Sequence, residues 1–204
     1  MGPKYAAYVL WLVFLVTWYI AALWTSRTAV RAPFRTRLAY YAGFVLGFEL
    51  LFQPPAGAAL YGRPILTVGA AWPASGTMLW SDSAPVAWAL LGVEAAAFGF
   101  AWWARVHMGR LWSGMMSLRE DHRVVDTGPF RLVRHPIYTG FITAAWALAL
   151  QAATPSALAG AMVLTVVMSV KAKSEEAFLR RELGEASYDA YAARTPMIVP
   201  FGPR

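Results

Sequence analysis

The stretch Tyr5 to Trp24, YAAYVLWLVFLVTWYIAALW, decides the fold class. It contains no charged residue and matches the ~20 residues that cross a hydrocarbon core, and tyrosine and tryptophan stand near both ends, where amphipathic rings favour the interface. The rest of the chain has the same character. Of 204 residues, 58% are hydrophobic and 14% charged, and the mean hydropathy is +0.45. That is too little charge to cover a water-facing surface, so the bilayer is the expected solvent. A secretory signal would carry a polar stretch with a small-residue cleavage site after the apolar run. Here the run ends in Trp24 and then arginines, and it is read as a retained first span.

Working outward, Arg27, Arg31, Arg35 and Arg37 follow without an intervening acid, and Pro33 interrupts any continuous helix. Leu38 to Phe52 is a second apolar segment of modest length, closed by Gln53, Pro54 and Pro55 and carrying Glu49. The long connection Pro54 to Ser83, with few charges and repeated prolines and glycines, is expected to be interfacial or re-entrant. Ala84 to Trp103 is a third span, apolar except for Glu94. A basic segment from Arg105 to His135 leads to two apolar runs, Ile137 to Gln151 and Ser156 to Val170. Their connection is so short that they form an antiparallel helical hairpin. Beyond Lys171 the apolar stripe Phe178, Leu179, Leu183, Tyr188 and Tyr191 predicts amphipathic helices divided by a break near Gly184.

The expectation is therefore an all-α integral membrane protein, with about five transmembrane helices plus a cytosolic carboxy-terminal helical segment. It is a single domain over residues 1–204, with the amino-terminal spans in 1–100. With the amino terminus outside and the carboxy terminus inside, Arg27–Arg37, Arg105–Arg134 and Lys171–Arg204 share the cytoplasmic face, as the positive-inside rule favours. The net charge of +7 is explained by these loops, and no nucleic-acid partner is expected. There is no cysteine, which excludes disulfides and thiolate chemistry. His107, His122 and His135 lack helical ligand spacing, so no metal site is expected.

Chemistry concentrates in Asp126 to Gly140, DTGPFRLVRHPIYTG. Arg131, Arg134 and His135 precede Pro136 at a helix start, whose free N–H groups and positive dipole end suit an anionic or hydrogen-bond-accepting ligand. Anchoring of Arg131 and Arg134 to lipid phosphates is the equal alternative. Gly128 and Gly140 permit close backbone approach, and Tyr138 offers an aromatic face. Glu175 and Glu176 follow the last span. Ion pairs with Lys171 and Arg180 at helical spacing explain them without function, while hydroxyl binding, cation pairing or proton acceptance would make them part of a site. Glu49 and Glu94, within apolar runs, divide between structural polar contacts and a substrate cavity.

The run Gly128-Pro129-Phe130-Arg131, then Arg134-His135-Pro136-Ile137-Tyr138-Thr139-Gly140, resembles the signature G-P-(Y/F)-R-x-x-R-H-P-x-Y-x-G of the isoprenylcysteine carboxyl methyltransferase and phospholipid methyltransferase group. Downstream, Glu175-Glu176, Leu179, Leu183-Gly184, Tyr188, Tyr191, Arg194 and Pro196 continue the resemblance. Upstream, Trp103-Ala104, Gly109 and Trp112-Ser113 do so, with Ala101 where an arginine is common. The similarity runs from Trp103 to Pro200, and residues 1–100 are similar only as apolar spans. Membrane sterol reductases carry a related R-H-x-N-Y-x-G segment, but Pro136, Ile137 and the paired glutamates favour the methyltransferases.

The resemblance implies S-adenosylmethionine as donor, with S-adenosylhomocysteine as product. The cofactor is expected in 101–204, between the last two spans and the carboxy-terminal helix on the cytoplasmic side. A lipophilic small-molecule or lipid acceptor would enter from the bilayer. It further implies that Arg134, His135, Pro136, Tyr138, Gly140, Glu175 and Glu176 line the cofactor pocket, with Glu176 the more solvent-facing of the two glutamates. Arg194 orients the acceptor, and Arg194 and Glu175 carry catalysis. The leading acceptor is the carboxylate of an isoprenoid or prenylcysteine-like compound. Phospholipid or amine N-methylation, with Glu175 or His135 as base, is the alternative. An NADPH-dependent membrane reductase comes next, and a non-catalytic scaffold or transporter is prompted by Glu49 and Glu94.

Overall fold

Proline stands in the first turn of four helices, where its fixed φ suits the helix and its missing N–H costs nothing. The computed structural model describes residues 2–24, 28–31, 34–53, 59–60, 63–64, 78–112, 117–119 and 124–202. In chain order the helices are α1 (Pro3–Ala21), α2 (Phe34–Leu51), α3 (Ala84–Met108), α4 (Pro136–Ala152), α5 (Pro155–Leu183) and α6 (Glu185–Ala192). Of these, α1, α3 and α5 are long and apolar enough to cross a membrane. Leu12, Tyr19 and Ile20 of α1, Trp88 and Val93 of α3, and Met162 and Val166 of α5 stand exposed, as lipid-facing residues do. The chain is an integral membrane protein. Helices α2 and α4, of 18 and 17 residues, occupy the positions of the other two expected spans.

The architecture is all-helical, as expected, and among the described residues the connections add only four strands of two to four residues: β1 (Thr28–Arg31), β2 (Ala59–Leu60), β3 (Arg63–Pro64) and β4 (Ser117–Arg119). β1 pairs antiparallel with β4, and β2 with β3. The connections that follow α1 and α3 thus run side by side and satisfy each other's backbone groups. Most of the connection expected to be interfacial or re-entrant, residues 54–58, 61–62 and 65–77, lies outside the described residues. Its end packs on the α4–α5 turn, where the Leu79 amide donates to the Ala153 carbonyl at 2.7 Å and Trp80 Nε1 to the Leu150 carbonyl at 3.1 Å.

Helix packing explains the glycines of α2. Gly43 faces Val167 and Gly47 faces Leu164 of α5, while a Cβ on Gly160 of α5 would lie 2.7 Å from the Gly47 carbonyl and against the Leu51 backbone. Apolar side chains gain nothing by leaving lipid for one another, so close backbone approach at small residues is what holds such helices together. Aromatic rings fill the other seam. Phe14 of α1 stacks on Phe98 of α3 at 4.0 Å, and Trp11 meets Phe98 edge-on at 4.8 Å. Arg105, fully buried, donates to the Ala21 and Trp24 carbonyls at 2.6 and 2.9 Å and lies over the Trp112 ring, capping the end of α1.

The last span and the polar helix after it form one continuous α5 of 29 residues. At 1.5 Å per residue this is about 43 Å, longer than a ~30 Å hydrocarbon core, so the helix is long enough to carry its polar end past the core. Gly184, at φ +94°, ends it where a break was expected. Gly160→Val should lower stability by about 1–3 kcal/mol, whereas Gly92→Ala, where a Cβ meets nothing, should stabilise by up to about 1 kcal/mol. Unfolding midpoints in a neutral detergent test the pair.

Candidate active site

The start of α4 is held by three backbone-directed ties to the chain end. The Arg134 amide donates to the Pro196 carbonyl at 2.8 Å, the His135 amide to Met197 at 3.0 Å, and the Thr139 hydroxyl to Ile198 at 2.6 Å. Before it, Gly128 opens a 3-10 turn at φ +58°, and a side chain there would strike the His107 ring at 2.7 Å. Tyr191 of α6 donates its hydroxyl to the Phe130 carbonyl at 2.6 Å. Burial, with Glu176 nearby, raises the Tyr188 hydroxyl well above the tyrosine range. Burial likewise raises Tyr191 against the opposing pull of Arg134, so Tyr191 stays a neutral donor.

Within this frame α4 and α5 bring two linked clusters together. In the first, the buried Arg134 grips Glu176 with a fork, Nε to Oε1 at 2.7 Å and Nη2 to Oε2 at 3.2 Å. Its Nη1 donates to the Ala192 carbonyl at 3.0 Å and to the Thr195 carbonyl. His135 Nε2 lies 3.1 Å from Glu176 Oε1; a carboxylate oxygen only accepts, so this nitrogen carries the proton. In the second cluster the Tyr138 hydroxyl donates to Glu175 Oε2 at 2.7 Å. The Lys171 ammonium contacts that hydroxyl and also Glu175 Oε1 at 2.5 Å. The His135 and Tyr138 rings stack at 5.3 Å and 9°, joining the clusters. Tyr40 of α2 reaches Ser174 at 2.9 Å and braces the same stretch of α5.

Several expectations change here. Glu176 does not face solvent: it is 4% exposed and committed to Arg134, with Arg180 a weaker partner at 3.8 Å. The side chain of Arg134 is consumed internally and anchors no lipid phosphate, although Arg131 is exposed. Gly140 packs closely on α3, since a Cβ there would lie 2.5 Å from the Ala97 carbonyl and 2.9 Å from Ala101 Cβ. Pro136 is buried in the first turn of α4. Arg194 is not gathered into the clusters. Its side chain is 63% exposed and pairs with Asp126 at 2.5 Å. His122 lies outside the described residues. The residue that sequence reasoning missed is Lys171, taken for half of a surface pair but buried beneath Tyr138. Its position as the first charge after the apolar run, one turn before Glu175, was the available signal. Of the two carboxylates within apolar runs, Glu94 is buried at 1% exposure and Glu49 is exposed.

The clusters offer a neutral sum of charges, two carboxylates facing an arginine and a lysine, beside stacked aromatic faces. Glu175 is the more open carboxylate and can exchange its partners for a ligand's hydroxyl or ammonium groups.

Residues 90–181 match the model of the isoprenylcysteine carboxyl methyltransferase family. Protein-S-isoprenylcysteine O-methyltransferase B of Arabidopsis thaliana is 33% identical over 103 residues, covering 48% of this chain and 51% of the relative. Methanethiol S-methyltransferase 2 of Bradyrhizobium diazoefficiens is 32% identical over 145 residues, covering 63% and 52%. The nickel-cobalt-cadmium resistance protein NccN of Alcaligenes xylosoxydans xylosoxydans is 29% identical over 123 residues, covering 59% and 52%. The chain spans about half the length of the curated relatives it matches.

Removing one partner of a buried ion pair leaves the other uncompensated, so Arg134→Met or Glu176→Gln should cost about 3–5 kcal/mol of stability. Glu175→Gln leaves the buried Lys171 ammonium without its carboxylate but lies at the more open end of the pair, so it should cost less, about 1–3 kcal/mol. Chemical denaturation of the three variants in the same detergent distinguishes them.

Proposed function

We propose that the chain, whose residues 90–181 match the model of the isoprenylcysteine carboxyl methyltransferase family, is a member of that family and an S-adenosylmethionine-dependent methyltransferase acting on a lipophilic acceptor in the membrane. The observation that carries the reading is the junction of α4 and α5: the Arg134–Glu176 pair locks the backbone while Tyr138, Glu175 and Lys171 present exchangeable donors and acceptors. That donor set fits S-adenosylmethionine. Glu175 suits its ribose hydroxyls or ammonium, Lys171 its carboxylate, and the stacked His135 and Tyr138 an aromatic or sulfonium face. When bound, this cofactor supplies an electrophilic methyl group on sulfur. The protein's own work is then alignment and exclusion of water.

The acceptor we favour is the carboxylate of an isoprenoid or prenylcysteine-like compound. Such a carboxylate is already ionised and needs no base, only a cation to hold it, and Arg194 would exchange Asp126 for it. The relative named for methanethiol makes a small thiol the second acceptor to test. We place residues 1–204 in one membrane domain of about five spans, with α2 and α4 completing the crossings. The site would lie on the cytoplasmic side, the amino terminus outside and the carboxy terminus inside. The positions of Arg31, Arg35, Arg105, Lys171 and Lys173 near one end of the helices support that orientation.

S-adenosylhomocysteine should raise the unfolding temperature of the detergent-purified protein, and Glu175→Gln or Tyr138→Phe should weaken its binding about tenfold. Stabilisation by NADPH and not by S-adenosylhomocysteine would sink the proposal. With a farnesylated cysteine as acceptor, Arg194→Ala should raise KM more than it lowers kcat. Blocking the carboxyl as an amide should abolish transfer, and a preference for methanethiol or a lipid amine would reassign the acceptor.

A further inference from the structure

Helices α1 and α2 run antiparallel, with Tyr8 against Phe52 at 5.9 Å and Trp11 against Phe48 at 5.8 Å. Between them lies a groove of about 430 Å3. It sits at the opposite end of the bundle from Glu175: Tyr40, at the start of α2, meets Ser174, whereas Leu51, at its end, meets Gly160 near the start of α5. Leu12 and Leu15 form an apolar stretch of its wall, the rings of Tyr8, Trp11, Phe48 and Phe52 form another, and Glu49 and Gln53 complete the lining. Three lining groups lack the partners their chemistry calls for. Among the described residues, Trp11 Nε1, on a residue 0% exposed, donates to nothing, and Gln53 Oε1, on a residue 7% exposed, accepts from nothing. The exposed carboxylate of Glu49 forms no ion pair among the described residues.

We propose that this groove binds a bilayer amphiphile whose head carries an ammonium beside an oxygen acceptor, as an ethanolamine lipid does. The ammonium brings donors for Glu49 and Gln53 and a charge that the aromatic faces attract. The adjoining oxygen accepts from Trp11, and the acyl chain runs along Leu12 and Leu15. Glu49 selects against an anionic head, and a purely apolar occupant would leave both orphaned groups buried and unmatched. A carboxylate on a helix in an apolar environment, with no ion pair among the described residues, is itself costly, which makes a cationic partner the natural complement.

The test uses the full chain in neutral detergent and two probes of the same acyl length, lysophosphatidylethanolamine and lysophosphatidylglycerol, with binding read by native mass spectrometry and thermal shift. The ethanolamine probe should bind and stabilise, the glycerol probe should not, and Glu49→Gln should weaken the ethanolamine probe about tenfold. Gln53→Leu should weaken it as well. Glu175→Gln should leave this binding unchanged, which separates the groove from an amine acceptor in the methyl-transfer site. Equal binding of both probes, unaltered binding by Glu49→Gln, or loss on Glu175→Gln would overturn the proposal.

Discussion

The buried fork between Arg134 and Glu176 is the interaction on which the carboxy-terminal half depends. A guanidinium taken out of water must have its donors met, and here Glu176, Ala192 and Thr195 meet them from three separate segments. One side chain at the start of α4 therefore fixes the height of α5, the end of α6 and the path of the chain beyond it. The same carboxylate oxygen that accepts from Arg134 Nε also accepts from His135, which turns the imidazole flat against Tyr138. Glu175, one residue along α5, is turned by the helix toward Tyr138 and Lys171. The rigid pair and the exchangeable pair are products of the same helical step.

The membrane half of the protein serves that arrangement by a different physics. Where lipid surrounds the helices, hydrophobic burial no longer discriminates, and the contacts that matter are those that bring backbones close. Gly43, Gly47 and Gly160 do this between α2 and α5, and Gly140 does it between α4 and α3. Because α4 and α5 are each clamped to a neighbour, the ends that carry His135, Tyr138, Lys171 and Glu175 are set relative to each other before any ligand arrives. Preorganisation of this kind suits the methyl transfer proposed above, in which alignment supplies much of the barrier reduction.

Membrane character, the helical hairpin and the stop at Gly184 were legible because each rests on local rules: the length of an apolar run, the shortness of a connection, the conformational freedom of glycine. The resemblance to a methyltransferase signature, more than local spacing, named Arg134, His135, Tyr138, Glu175 and Glu176 as residues of the candidate site, with Lys171 the omission. Their roles were less legible. Helical periodicity pairs Glu175 with Lys171 and Glu176 with Arg180, and both pairs exist, yet it says nothing of what approaches from another helix.

From the chain alone, then, came the solvent it lives in, the positions of its helices and the chemical groups available at one end of them. Only the tertiary structure decided that Glu176 is buried and Glu175 more open, that Lys171 belongs to the cluster, that Gly140 serves α3, that Glu94 is enclosed while Glu49 is exposed, and that β1 meets β4. The reason is physical. Burial and pairing depend on which surfaces meet across tens of residues of sequence, and that is set by close packing of whole helices. No period of 3.6 residues encodes it.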